Sequence, residues 1–116
     1  MNTVRVGEAI GYTAPGHSLM DMVRLQGLEA GPSDTVWIGL SIIQPGGGTT
    51  ASAAEVEKFY VVVQRTLEVE AFDGSKTARA ELGPLDSCRI APRETRRLKN
   101  TGSQPCRVLL IMPKGK

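Results

Sequence analysis

Histidine is almost absent: the chain has one, His17, among 116 residues. A divalent iron, manganese or nickel site is built from several neutral imidazoles with a carboxylate, so no metal centre and no cofactor are expected. Cysteine is nearly as scarce. Cys88 and Cys106 are the only two; they make no disulfide framework, and a reducing compartment follows. No apolar run approaches the ~20 residues that cross a bilayer. The segment Met1 to Ile10 carries Arg5 and Glu8 and has none of the apolar centre of a signal peptide. The expectation is a cytoplasmic protein with no membrane partner. An excess of one charge is missing as well: the formal net charge is +2, too small to call for nucleic acid. The basic residues between Arg89 and Arg107 read as a solvated edge plus one functional arginine. Nor is there a phosphate loop, because neither a lysine nor a helix start follows Gly46-Gly47-Gly48.

What the chain does have is punctuation. Thirteen glycines and seven prolines separate short apolar runs rich in Val, Ile and aromatic residues: Val36 to Ile43, Phe59 to Val63, Leu67 to Phe72, Cys88 to Ala91 and Val108 to Met112. Turn signals bound them at Gln44 to Gly48, Asp73-Gly74 and Asn100 to Gly102. Short strands at regular spacing predict an all-β sandwich or barrel. Asp73-Gly74 is a hairpin signal, because Gly accepts the positive φ of a tight turn. Helix signals are weak: Ala51 to Lys58 runs into the β-branched stretch Tyr60 to Val63 and reads as the entry to a strand. Met20 to Leu25 alternates in part and reads as a strand, with a short helix as the opposing reading. Residues 1–116 form one domain, with 1–35 as N-terminal strands or arm and 36–116 as the barrel core.

From Ile43 onward the order of features resembles the small single-domain cupins. Pro45-Gly46-Gly47-Gly48-Thr49 resembles the turn before the first cupin motif, and Glu55 to Val69 its acidic residue and strand-turn-strand. Leu82 to Pro92 resembles the run into the second motif. Arg96 to Gly102 resembles its end, where a cupin shows His, three residues, then Asn. The last strand, Arg107 to Met112, completes the pattern. The resemblance implies an all-β, double-stranded β-helix (jelly-roll) barrel that pairs as a homodimer. The departures are specific. Thr50 to Ala54 stands where two histidines belong, and Arg96 stands where the second motif has its metal-binding His. An arginine has no lone pair to donate to a metal. Glu57 keeps the Glu position, or Lys58 takes it if the loop is one residue longer. Asn100 is retained.

By this resemblance Arg96 points inward, with Leu98 and Asn100 on the same face and Arg97 and Lys99 outside. Cys88 and Ile90 point inward on the preceding strand, and Glu57 points inward from the first motif. A buried guanidinium needs a partner. One is Glu57, closing a pair where the metal would sit and leaving a non-catalytic dimeric scaffold or accessory protein. The other is a small anionic ligand, a carboxylate above all, gripped in a bidentate fork. In that case Arg96, Asn100, Cys88 and Tyr60 are the candidate binding residues. Glu57 and His17 are then the candidate acid and base for proton-transfer chemistry such as isomerisation or a lyase step. Each has a plainer reading: His17 as a loop-fixing residue, Cys88 as core filler, Tyr60 as core or interface. Trp37, mid-strand, reads as core or dimer interface.

Overall fold

The computed structural model describes residues 1–115. It contains ten strands: β1 (Ile10–Tyr12), β2 (His17–Gln26), β3 (Val36–Thr49), β4 (Ser52–Ala53), β5 (Lys58–Gln64), β6 (Leu67–Phe72), β7 (Thr77–Leu82), β8 (Ser87–Ile90), β9 (Thr95–Lys99) and β10 (Cys106–Pro113). Two single 3-10 turns, Val6–Glu8 and Leu28–Ala30, are the only helical residues described. All pairings are antiparallel, and the strands follow the order β7-β6-β9-β3-β10-β5-β8, with β2 on the other side of β3 and β1 beyond it. The result is a nearly closed all-β barrel.

Every apolar run read from the sequence is a strand. Two features depart from that reading. Gln44 to Gly48 is not a turn between strands but part of β3, which continues to Thr49. The glycines do a different job there. β3 pairs with β10 over its first half and meets β9 only at Gly48, opposite Lys99, so the chain crosses from one side of the barrel to the other at this point. A Cβ on Gly48 would overlap the carbonyl of Leu98, and only glycine permits that approach. The second is β7, the strand that the Asp73-Gly74 hairpin signal calls for but no apolar run marks: an exposed edge strand of Thr77–Leu82 with five of its six residues on the surface. Its polar composition hides it from pattern reading. It exists because the Asp73-Gly74 hairpin folds it against β6; Asp73 Oδ1 accepts from the backbone of Ser75 and Lys76 at 2.9 and 2.8 Å.

The core gathers Ile43, Val62, Leu67, Val69, Leu82, Ile90, Leu98, Cys106 and Val108 around Tyr60. Fully buried aliphatic side chains of this kind contribute roughly 1.5–3 kcal/mol each relative to exposure. Asn100 is buried among them and has every polar atom engaged. Its Nδ2 donates to Ile43 O (2.9 Å) and Gln104 O (2.8 Å), and its Oδ1 accepts from Gly102 N (2.9 Å). Its backbone pairs with Gly46 and Gly47 at 2.9 Å each. Asn100 therefore ties the end of β9 to the β3 crossing and to the loop before β10.

Candidate functional site

Strand periodicity decides what faces the barrel interior. On β9 the burial alternates, with Arg96 and Leu98 inside and Asn100 continuing the series, as the sequence pattern requires. On β5 the inward set is Lys58, Tyr60 and Val62. These two strands, with β1, β2, β3 and β10, enclose a cavity of about 220 Å³. Its polar wall includes Tyr12, His17, Arg24, Lys58, Tyr60 and Arg96. Its apolar wall includes Met20, Met22, Trp37, Leu98, Leu110 and Met112. No Asp or Glu lines it.

Arg96 is 4% exposed. Its Nε donates to Tyr60 Oη at 2.9 Å. Its Nη1 donates to Thr49 Oγ1 (3.1 Å), Thr50 O (3.2 Å) and Ser52 Oγ (3.0 Å). All four acceptors are neutral, so the guanidinium is oriented without being neutralised. Nη2 takes no part in this set. Thr49 is itself pinned, accepting from Leu98 N at 3.0 Å. Tyr60, whose hydroxyl accepts from Arg96, keeps its own proton: burial pushes its pKa up against the opposing pull of Arg96.

Lys58 is the second buried cation, 8% exposed. It forms no salt bridge among the described residues. Burial, with Arg96 adding like-charge repulsion, brings its ammonium down to about 8. A third cation, Arg24, is held differently. Its guanidinium carbon lies 3.7 Å from the centre of the Tyr12 ring and 4.1 Å from that of Trp37. Its Nε donates to Glu29 at 2.9 Å. The two rings meet edge to face at 5.9 Å. Cation–π contact and the Glu29 carboxylate offset this charge, although Nη1 of Arg24 is buried without a partner.

The remaining residues singled out by sequence divide cleanly. His17 lines the cavity. Its Nδ1 lies 2.8 Å from Pro15 O; a carbonyl only accepts, so Nδ1 donates there, and in the neutral imidazole Nε2 is the nitrogen with the lone pair. Glu57 does not point inward. It forms a salt bridge with Arg89 on the outside of the barrel, both side chains more than a third exposed, and the closed Arg96–Glu57 pair does not form. The inward alternation of β5 begins at Lys58, so with a period of two Glu57 falls on the other side and Lys58 takes the inward place. Asn100 fastens loops rather than lining the cavity. Cys88 sits beside the core opposite Tyr60 on β8, outside the cavity wall, and burial raises its thiol pKa, which disfavours the nucleophilic thiolate. Sequence reasoning missed Arg24, Tyr12 and Ser41. Arg24 lies in the alternating stretch Met20 to Leu25, where an arginine at an inward position was the available signal.

The metal of the fold does not fit these residues. Among the described residues no group of three His, Cys, Asp or Glu comes close enough to hold an ion. Where the second motif would present an imidazole, a guanidinium occupies the space and is bonded on two of its nitrogens.

No protein-family model matches the chain. It is 36% identical over 112 residues to the β-D-galactosidase Rv1717 of Mycobacterium tuberculosis, spanning 97% of this chain and 93% of that protein. Among solved structures, a cupin 2 domain-containing protein from Halorhodospira halophila superposes with a TM-score of 0.74 at 27% identity, over 86% of this chain and 66% of that one. The chain is a cupin, of the family that includes Rv1717. The polyketide cyclase RemF from Streptomyces resistomycificus shares the fold with a TM-score of 0.84 at 21% identity, over 99% of this chain and 80% of that one. The expected jelly-roll barrel is thus the observed one, and this cupin carries cations where the resemblance leads one to look for metal ligands.

Proposed function

We propose that this cupin binds a small organic anion, a carboxylate above all, in the cavity between β5 and β9, with Arg96 and Lys58 as the clamp. The observation that carries this reading is two buried cations, neither with a carboxylate partner, in a cavity lined by no acid. Buried charges are costly unless compensated, and a ligand anion supplies the compensation that the protein omits. Arg96 is held in one orientation by Tyr60, Thr49 and Ser52, so little freedom is lost when it grips a ligand. The volume, below the roughly 300–1,000 Å³ of drug-sized pockets, suits a small molecule.

The chemistry this wall supports is proton transfer. His17 offers a lone pair at Nε2 and Tyr60 offers a phenolic proton, while the cations stabilise negative charge that develops on the substrate. An isomerisation or lyase step is the matching reaction class. The name of the Mycobacterium relative raises a galactoside as the alternative occupant. Glycoside hydrolysis ordinarily needs two carboxylates flanking the scissile bond, and this cavity wall contains none. A homodimer belongs to the same proposal: Val6, Leu25, Ile38, Val63 and Leu109 form an apolar strip on the outer face, and sedimentation of the purified chain tests it.

Thermal melts with a panel of small carboxylates test the binding claim. One acid is expected to raise the midpoint, since a ligand that binds only the folded state stabilises it, and the rise is expected to vanish in Arg96→Met. No shift from any acid, or a shift that survives Arg96→Met, contradicts it.

A further inference from the structure

Lys58 and Tyr60 are two residues apart on β5 and face the same cavity. Strand geometry sets them as neighbours on one face. Neither has a carboxylate beside it. A lysine in this setting can do more than hold an anion. We propose that Lys58 is a covalent catalytic residue: its amine condenses with the carbonyl of an oxo acid to form an imine, while Arg96 holds the carboxylate of the same substrate and Tyr60 serves the proton transfers. The inference rests on the anion-binding reading and names a substrate class for it, small molecules that carry both a carboxylate and an aldehyde or ketone.

The step needs no oxidant or reductant. The lone pair of Nζ adds to the carbonyl carbon, and the carbonyl oxygen takes a proton from Tyr60 Oη. Nζ gives up a proton, which Tyr60 recovers. The hydroxyl then leaves as water, taking a second proton from Tyr60 Oη, while the nitrogen lone pair closes the C=N bond as an iminium, which returns its remaining N–H proton to Tyr60. The net change is amine plus carbonyl to imine plus water. Tyr60 is placed for this duty, because its oxygen accepts from Arg96 Nε at 2.9 Å while its own hydrogen stays free to be donated. A lysine near the surface is protonated and unreactive. Lys58 gives up its proton far more readily, because burial and the charge of Arg96 hold it at about 8. About a tenth of it is neutral at pH 7, a few hundred times the fraction of an ordinary lysine. The charged and titratable groups around it are Arg96 on β9, Tyr60 on β5, Tyr12 on β1, and His17 and Arg24 on β2. None is an acid that would hold the amine protonated.

The test is reductive trapping of the full chain. Isotope-labelled pyruvate, glyoxylate and 2-oxoglutarate are each incubated with the protein and borohydride, and the modified lysine is located by peptide mass spectrometry. The expected result is label on Lys58 at least about tenfold above the exposed Lys76 and Lys114 and the half-buried Lys99, rising as pH increases through about 8. Lys58→Arg, or Lys58→Met if the larger side chain is not accepted, is expected to lose the label, while the wild type is expected to show the thermal shift and the label together. Arg96→Met is expected to lower trapping of pyruvate more than trapping of acetone. A thermal shift with no label on Lys58, or label spread evenly over all lysines, overturns the imine while leaving anion binding intact. Neither shift nor label with any of the three acids overturns both.

Discussion

Lys58 on β5 and Arg96 on β9, both buried, face one cavity with like charges and no carboxylate in its wall. The arrangement is unfavourable for folding and favourable for capturing an anion. Proteins commonly carry such local penalties where binding or chemistry occurs.

Arg96→Met removes the guanidinium, whose Nη2 stands outside its bonds to Tyr60, Thr49, Thr50 and Ser52 and is the donor a carboxylate would meet. The affinity for the best-binding acid is expected to fall about 10- to 100-fold, the equivalent of the roughly 1.5–3 kcal/mol of a hydrogen bond to a charged group. Titration calorimetry of the two proteins measures it. Arg96→Lys is expected to recover only part of the loss, since an ammonium cannot reproduce the planar fork.

Lys58→Met is expected to stabilise the empty protein by up to about 3 kcal/mol at pH 7, with a particular pH dependence. The folded-state value of about 8 lies below the ordinary 10.5. The unfolded chain therefore holds the proton more tightly, and the native state bears the full penalty below about pH 8. That penalty fades as pH rises toward 10.5 and is gone above it. The difference in unfolding free energy between wild type and variant, measured in urea from pH 7 to 10, is expected to shrink along this course. A difference independent of pH contradicts the assignment of the shift to Lys58.

Glu57→Gln is expected to leave ligand affinity unchanged and to alter stability by less than about 1 kcal/mol, because its pair with Arg89 is exposed. A large loss of binding would return Glu57 to the site.

Asn100→Ala is expected to cost about 3 kcal/mol, since it orphans the carbonyls of Ile43 and Gln104 and the amide of Gly102. Affinity in the protein that remains folded is expected to be unchanged. Chemical denaturation gives the first quantity and calorimetry the second.

These residues also mark how far sequence alone reaches. The barrel was legible because Val, Ile and Leu runs and their Gly, Asp and Asn turns act locally, and the inward face of Arg96, Leu98 and Asn100 follows from a period of two. Glu57 and Lys58 were not separable, because the face of a strand turns over with one residue of loop length and nothing local fixes that length. Arg24 escaped for a different reason. Its place between Tyr12 and Trp37 depends on β1, β2 and β3 lying side by side, a long-range pairing that no window of the sequence encodes. Asn100 looked like a ligand-binding residue because it keeps a motif position, and its buried hydrogen bonds explain that position without any ligand.

The central claim is that charge on the ligand governs binding. Calorimetric titration with galacturonate and with galactose, which differ in a carboxylate, tests it most directly, in wild type and in Arg96→Met. The account predicts that galacturonate binds the wild type at least about tenfold more tightly than galactose, and that Arg96→Met erases the difference. Equal or tighter binding of the neutral sugar, unaffected by the loss of Arg96, would contradict it.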